Sequence, residues 1–333
     1  MADIRDVLAA AREEALDIAN STGRRALLRV LREAEGDLAR RLHQAEGLRG
    51  SGKQTFTEAR MNVALAQVRE VARGLQDDLG SVVTDEGAQV ASASGEGVLA
   101  YMRAAERAFR GVNAVLPLRE AMMLDAATQG AEASILRRLA GEGGEKGAGV
   151  LARYGEATVA DFERKLRVGV AAQKPVSQVR EELIESSPFL QGAPRSWAER
   201  IVRTELHGAS NRAAYQAHVS AQKQLGDVVR ILSATFDDRT GWDSYNVHGE
   251  IRRMSEPFEY VTYDGAHEAF VHPPNRPNDR ELVLAHRLSW AIPPALRPRG
   301  TAEVQARAAK QGVKFPGRPS VMSTVPLGRF AAP

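Results

Sequence analysis

The chain has 333 residues, 43% of them hydrophobic and 26% charged, and it contains no cysteine. That length suits two or three modules. The absence of thiols excludes disulfides and thiolate chemistry, so any metal would have to rest on His, Asp or Glu. The formal net charge is +3 but unevenly spread: Arg287, Arg297, Arg299, Arg307, Lys310, Lys314, Arg318 and Arg329 face only Glu303, about +7 for this tail and about −4 for the rest. Such a tail suits nucleic acid or an acidic protein surface, and equally a solvated extension with no partner.

Met1–Asp6 is not followed by an apolar run, so no signal peptide is expected; no apolar run reaches the roughly 18 residues of a membrane span. Synthesis in the cytosol is the simplest fit to the absence of cysteine.

Proline divides the chain. The first is Pro117, and eleven of the fifteen lie at or beyond Pro257. An interior helical proline costs about 3 kcal/mol, so the early part admits long helices and the late part does not. Ile4, Val7, Leu8, Ala11, Ala15 and Ile18 recur at helical spacing, as do Leu27, Leu31, Ala34, Leu38 and Leu42. Thr55-Phe56-Thr57-Glu58 has capping-box spacing, followed by Met61, Leu65, Val68, Val71, Leu75 and Leu79 on one face. Further helices are expected near 86–111 and 118–140. Packing within the chain, a hairpin or an oligomer surface would all use such stripes.

Gly141–Gly149 reads as a linker; it lacks the Gly-Lys-Ser/Thr ending and preceding strand of a phosphate loop. From Val159 to Glu185 the pattern is helix, a turn at Lys174-Pro175-Val176-Ser177, and helix. Ser196-Trp197-Ala198-Glu199 repeats the capping-box spacing and opens a helix expected to run to about Gln222. Its apolar side is Ile201, Val202, Leu206, Ala209, Ala213 and Ala217; Arg200, Arg203, His207 and Asn211 lie opposite, with Glu205 at the boundary.

Beyond Gly226 the pattern changes to strand. Val228–Phe236 is apolar and partly β-branched and ends in Asp237-Asp238-Arg239-Thr240-Gly241. Glu259–Tyr263 and Glu268–Val271 flank Asp264-Gly265, a strong hairpin signal. A proline loop follows from His272 to Glu281. Leu282–Trp290 is a short helix or strand, and Ile292-Pro293-Pro294 starts an extended section.

The blocks Arg203-Thr204-Glu205 with Asn211, then Asp238-Arg239-Thr240 with Gly249, then Pro273-Pro274 with Pro277-Asn278-Asp279-Arg280 resemble those of Mu F-like phage minor head proteins. The resemblance covers roughly 155–285, with order and spacing intact. It implies a structural component of the virion head interior, made in the host bacterial cytoplasm. Partners would be the portal protein and/or the major capsid protein, phage DNA being a further candidate, with no membrane and no cofactor. It also implies that Arg203, Thr204, Glu205, Asn211, Asp238, Arg239, Thr240, Gly249, Pro273 and Pro274 form the structural core of the module. The basic tail residues Arg297, Arg299, Arg307, Lys310, Lys314, Arg318 and Arg329 are the candidate partner- or DNA-binding set. Many relatives carry cysteine pairs where this chain has Gly241, Ser244, Asp279 and Glu281, so a zinc site of that kind is not expected. His248, His267 and His272 lie near enough in sequence to be weighed as ligands and are read instead as ordinary polar histidines.

The expected fold is therefore α+β, mainly α, with long N-terminal helices in a bundle or hairpins. A helical domain would occupy 1–140, the linker 141–150, the Mu F-like module 151–290 and an extended basic tail 291–333. No catalytic residues are assigned. An ADP-ribosyltransferase-like injected or cargo enzyme would use Glu205, but the Arg, Ser-Thr-Ser and Glu-x-Glu succession is missing; Glu205 is read as pairing with an arginine such as Arg239. His207 and Ser210 lack a third hydrolase partner. Trp242, Tyr245 and Trp290 suit base stacking or a small core. A plain DNA-binding protein is the third reading.

Overall fold

The computed structural model describes residues 17, 21–45, 48, 54–140, 150–185, 192–234, 236, 240–262, 265–273, 281–319 and 322–325. The expected first helix, the 141–149 linker, Asp237–Arg239, Pro274–Arg280 and Arg329 thus lie outside the described residues. The chain is α+β, mainly α. Its helices are α1 (Gly23–Gln44), α2 (Glu58–Arg110), α3 (Glu120–Ala140), α4 (Val150–Ala171), α5 (Val176–Glu185) and α6 (Gly192–Leu225), and they precede a small β module. Two compact units interleave along the sequence: one takes in 19–86 and 135–205, the other 1–18, 87–134 and 206–333.

In the first unit, α1 buries Leu27, Leu31, Leu38 and Leu42, while the start of α2 buries Met61, Leu65, Val68, Leu75 and Leu79, the two stripes expected from the heptad-like spacing. Arg41 bridges Glu70 at 3.2 Å across these helices. Gln76 Nε2 donates to the Leu151 carbonyl at 3.0 Å, its approach to α4 permitted by Gly155, whose missing Cβ leaves the space that the Gln76 amide fills.

Both capping-box expectations fail. Phe56 N donates to Lys174 O at 2.8 Å and Val176 N to Gln54 O at 2.8 Å. Thr55 is thereby drawn into a bridge with Pro175, and α2 starts at Glu58. At α6 the helix already begins at Gly192, because Pro194 falls in the first turn, where its missing N–H removes no intrahelical bond. Ser196 is therefore inside the helix. The two helices expected over 58–79 and 86–111 are one helix of 53 residues. Buried Leu79, Val82, Val83, Val90 and Ala91 outweigh the roughly 1 kcal/mol cost of each interior glycine.

In the second unit, small residues let helices approach closely. A Cβ on Gly95 of α2 would lie 3.1 Å from Ala127 Cβ of α3, and one on Gly130 would overlap the Gln216 stem of α6. Ser94 Oγ and Ser210 Oγ share a buried hydrogen bond of 2.7 Å between α2 and α6.

The β module follows. Strand β1 (Val228–Ser233) is central in an antiparallel sheet of order β2-β1-β5, with β2 (Ile251–Arg252) and β5 (Leu282–Arg287) on its sides. Arg230 pairs with both Arg252 and Ala285. The expected hairpin is β3 (Phe258–Val261) with β4 (His267–Phe270). Val229 and Ile231 face a cluster with Ile251, Leu296 and Val325, while Leu232 faces Val247, Phe258 and Val283, so β1 is buried on both faces. A short helix α7 (Trp242–Val247) packs with α8 (Thr301–Lys310) through Trp242, Val261, Val304 and Ala308.

The tail differs from the expected extended section in carrying α8, and it is woven into the module. Ile251 N donates to Met322 O at 2.9 Å and Thr324 N to Ile251 O at 3.3 Å, adding a parallel bridge beside β2. Val304 and Ala308, four apart, give α8 a face that Trp242 buries.

Candidate functional site

Several charged side chains are buried inside the β module. Arg230 projects from the middle of an apolar strand and is fully buried. Its guanidinium donates to the carbonyls of Arg253 (3.1 Å from Nη2), Glu256 and Val271. It also lies over the rings of Tyr215 (5.3 Å) and Phe258 (4.8 Å). One side chain thus gathers the β2–β3 connection and the end of β4 onto β1. Burial pushes its pKa down to about 10.

On β2, Arg252 pairs with Glu250 in the interior and donates to Pro257 O at 2.9 Å and Ile251 O at 2.9 Å. Burial raises the Glu250 carboxyl to about 8, against the opposing pull of the Arg252 charge. His218 of α6 is fully buried, and neither ring nitrogen has a hydrogen-bond partner among the described residues. Burial, with the Arg230 charge adding to it, lowers His218 to about 3. A protonated ring is strongly disfavoured there.

A second polar knot joins β5 to the end of α2. Arg287 Nε donates to Asp227 Oδ1 at 2.8 Å, and its Nη1 approaches Glu106 Oε2 at 3.3 Å. Trp290 Nε1 donates to the same Glu106 oxygen at 2.9 Å. His286 lies between Tyr101 Oη (3.2 Å) and the Trp290 carbonyl (3.3 Å), and burial lowers it to about 4.

The residues singled out from sequence fall as follows. Arg203 is exposed and Glu205 buried, in the unit that ends at Glu205. The expected pairing of Glu205 with Arg239 lies outside the described residues, as do Asp238, Pro274 and Pro277–Arg280. His207 and Asn211, expected on an open polar side, are both buried, because every residue of α6 from Leu206 to Asn211 is buried. Asn211 Nδ2 donates back to His207 O at 3.1 Å. Thr240 is buried, and its carbonyl accepts from Arg307 Nε at 3.0 Å, Arg307 Nη2 at 2.6 Å and Gln311 Nε2 at 3.0 Å. Gly249 has φ +81°, and a Cβ there would meet Arg297 C and Pro298 Cα at 2.8 Å. Pro273 is buried.

His248 accepts from Ala234 N at 3.1 Å through Nδ1 and so donates to Ala295 O at 3.0 Å through Nε2, which assigns its neutral tautomer. His272 is likewise occupied by Pro273 O and Arg212, and His267 is exposed on β4. Among the described residues no three His, Asp or Glu side chains are grouped to hold a metal. Ser210 is tied to Ser94, and Trp242 and Trp290 are buried in core positions. Tyr245 packs on Phe236 with Arg307 over its ring.

Within the basic tail, Arg307 is engaged with Thr240, and Arg318 donates to the Arg299 carbonyl. Arg299 covers the Phe236 ring at 4.0 Å and bridges Glu303 at 3.5 Å. Arg297, Lys310 and Lys314 are the exposed cations among the described members of the set. No family model, curated protein or solved structure matches the chain.

Proposed function

We propose that this chain is a minor head protein of a tailed bacteriophage, of the Mu F-like kind. It acts as a docking scaffold at the portal region inside the head, with the portal protein and/or the major capsid protein as partner. The supporting observation is the work done by the motif residues. Thr240 offers its carbonyl to three N–H donors from α8 and the residue after it, and Gly249 gives up its Cβ space to the Arg297–Pro298 backbone. Asn211 is bonded within its own helix and buried. Thr240 and Gly249 tie the tail onto the β module, which suits an assembly protein that presents a rigid surface to a neighbour. Arg230 and the Glu106–Arg287 knot serve the same end, since a buried, satisfied polar network favours one packing over its alternatives.

The test is a stop codon placed early in this reading frame in the phage genome. The proposal expects particles that fail to assemble, fail to fill or fail to eject, with full rescue when the chain is supplied in trans. Unchanged yield and unchanged DNA filling of heads would overturn it.

A further inference from the structure

Apolar side chains left in water concentrate at one place among the described residues. Phe109, Val112, Val115 and Met122 are 37%, 61%, 83% and 53% exposed, all on or beside the connection from α2 to α3. The other large exposed apolar residues described, Val168 and Val271, stand singly. Single exposed apolar residues are ordinary, whereas a cluster marks a contact surface.

The connection is braced. Gly111, at φ +102°, closes α2 by donating to Arg107 O at 3.0 Å, and Ala114 N donates to Gly111 O at 2.9 Å. Leu116 turns inward and is buried. Arg119 N donates to Gln224 Oε1 of α6 at 2.6 Å, and Phe109 stacks on Trp290 with centroids 6.1 Å apart. A loop held this way has little conformational entropy left to lose on binding.

Its rim is cationic. Arg107, Arg110 and Arg119 occur in the span 107–119, which contains no acid. The flanking carboxylates are engaged: Glu106 lies in the Arg287–Trp290 knot and Glu120 pairs with Arg103. Arg110 is bridged to Glu106 at 3.5 Å, which leaves the exposed Arg107 and Arg119 beside the apolar side chains, and these two cations call for negative charge opposite.

We propose that the α2–α3 connection is a docking knob. Val112, Val115 and Met122 enter an apolar pocket on a protein partner whose rim carries carboxylates facing Arg107 and Arg119. This docking proposal, with the portal protein as its partner, rests on the phage reading above. A lipid surface is a poorer occupant, because the one aromatic ring at the site is stacked on Trp290 and the remaining apolar side chains are few.

The experiment measures binding of the full-length chain to the purified portal protein of the same phage by calorimetry, and compares variants. Val112→Asp with Val115→Asp is expected to weaken binding at least tenfold at unchanged thermal stability. Arg107→Glu with Arg119→Glu is expected to weaken it and flatten its salt dependence, and Val168→Asp to leave it unchanged. Wild-type affinity in the double-valine variant overturns the knob while the phage reading stands; no binding by the wild-type chain overturns the portal as partner along with the docking proposal. Sedimentation with phosphatidylcholine–phosphatidylglycerol vesicles that the valine variant abolishes would assign the knob to a membrane instead. A wild-type dimer in sedimentation equilibrium that the same variant dissociates would assign it to a second copy. Either result overturns the proposal.

Discussion

Trp290 donates its indole N–H to Glu106 at 2.9 Å, fastening the turn after β5 to the last turns of α2. Arg287 reaches the same carboxylate from β5, so one buried acid serves an aromatic donor and a guanidinium at once. Removing the acid strands the Trp290 N–H and leaves Arg287 with Asp227 alone. Glu106→Ala should cost about 3 kcal/mol, the lower end for breaking a buried pair, because Arg287 keeps Asp227. Glu106→Gln, which still accepts from Trp290, should cost less. Urea unfolding monitored by Trp fluorescence checks both values; equal stability of Glu106→Ala and wild type would refute the role of the knot.

Gly249 is required twice over, by its φ of +81° and by the backbone of Arg297–Pro298 against its α-carbon. Gly249→Ala therefore adds a clash to a left-handed strain of about 1 kcal/mol, and a loss of at least 3 kcal/mol is expected. Gly111→Ala is the control, since Gly111 also has positive φ but open space where its Cβ would be. Denaturant midpoints should rank wild type, Gly111→Ala and Gly249→Ala in that order.

Stability should pass through a maximum in mildly acidic to neutral solution. His218 and His286 are lowered from 6.5 to about 3 and about 4, so the unfolded chain takes up protons first as pH falls. Their contribution is complete above pH 6.5 and is lost as pH falls through the folded values. Glu250 is raised from 4.5 to about 8, so its contribution is complete below pH 4.5 and is lost as pH rises toward 8. Melting temperature against pH should show both arms. His218→Leu should flatten the acid arm without loss at neutral pH, because the ring nitrogens it removes have no hydrogen-bond partner among the described residues. Glu250→Gln should flatten the alkaline arm.

Truncation cannot separate DNA binding from folding in this chain. Val304 and Ala308 fill the cluster around Trp242, and residues 322–325 bridge β2, so deleting 297–333 should lower the melting temperature by many degrees. Substituting exposed Arg297, Lys310 and Lys314 by glutamate leaves those contacts in place. If the tail binds DNA, that triple variant should lose affinity and salt dependence in fluorescence anisotropy while melting normally.

The long helices, β1 and the β3–β4 hairpin were legible because each is written locally, in a 3.6-residue stripe, a β-branched run or an Asp-Gly turn. The polar knots were not. Glu106 and Trp290 lie 184 residues apart, and nothing in either neighbourhood names the other. Arg230 did leave a signal, a charge set between Val229 and Ile231 in a strand otherwise apolar. Asn211 and His207 misled because the stretch of α6 from Leu206 to Asn211 is buried all round, and such a stretch does not sort its residues into wet and dry faces. Thr55 and Ser196 misled because pairing with 174–176 and a proline in the first turn moved the helix starts.

In quantitative mass spectrometry of purified, nuclease-treated heads, peptides of this chain are expected in intact particles, protected from external protease. Particles that are infectious and free of this chain would contradict a scaffold built into the phage head.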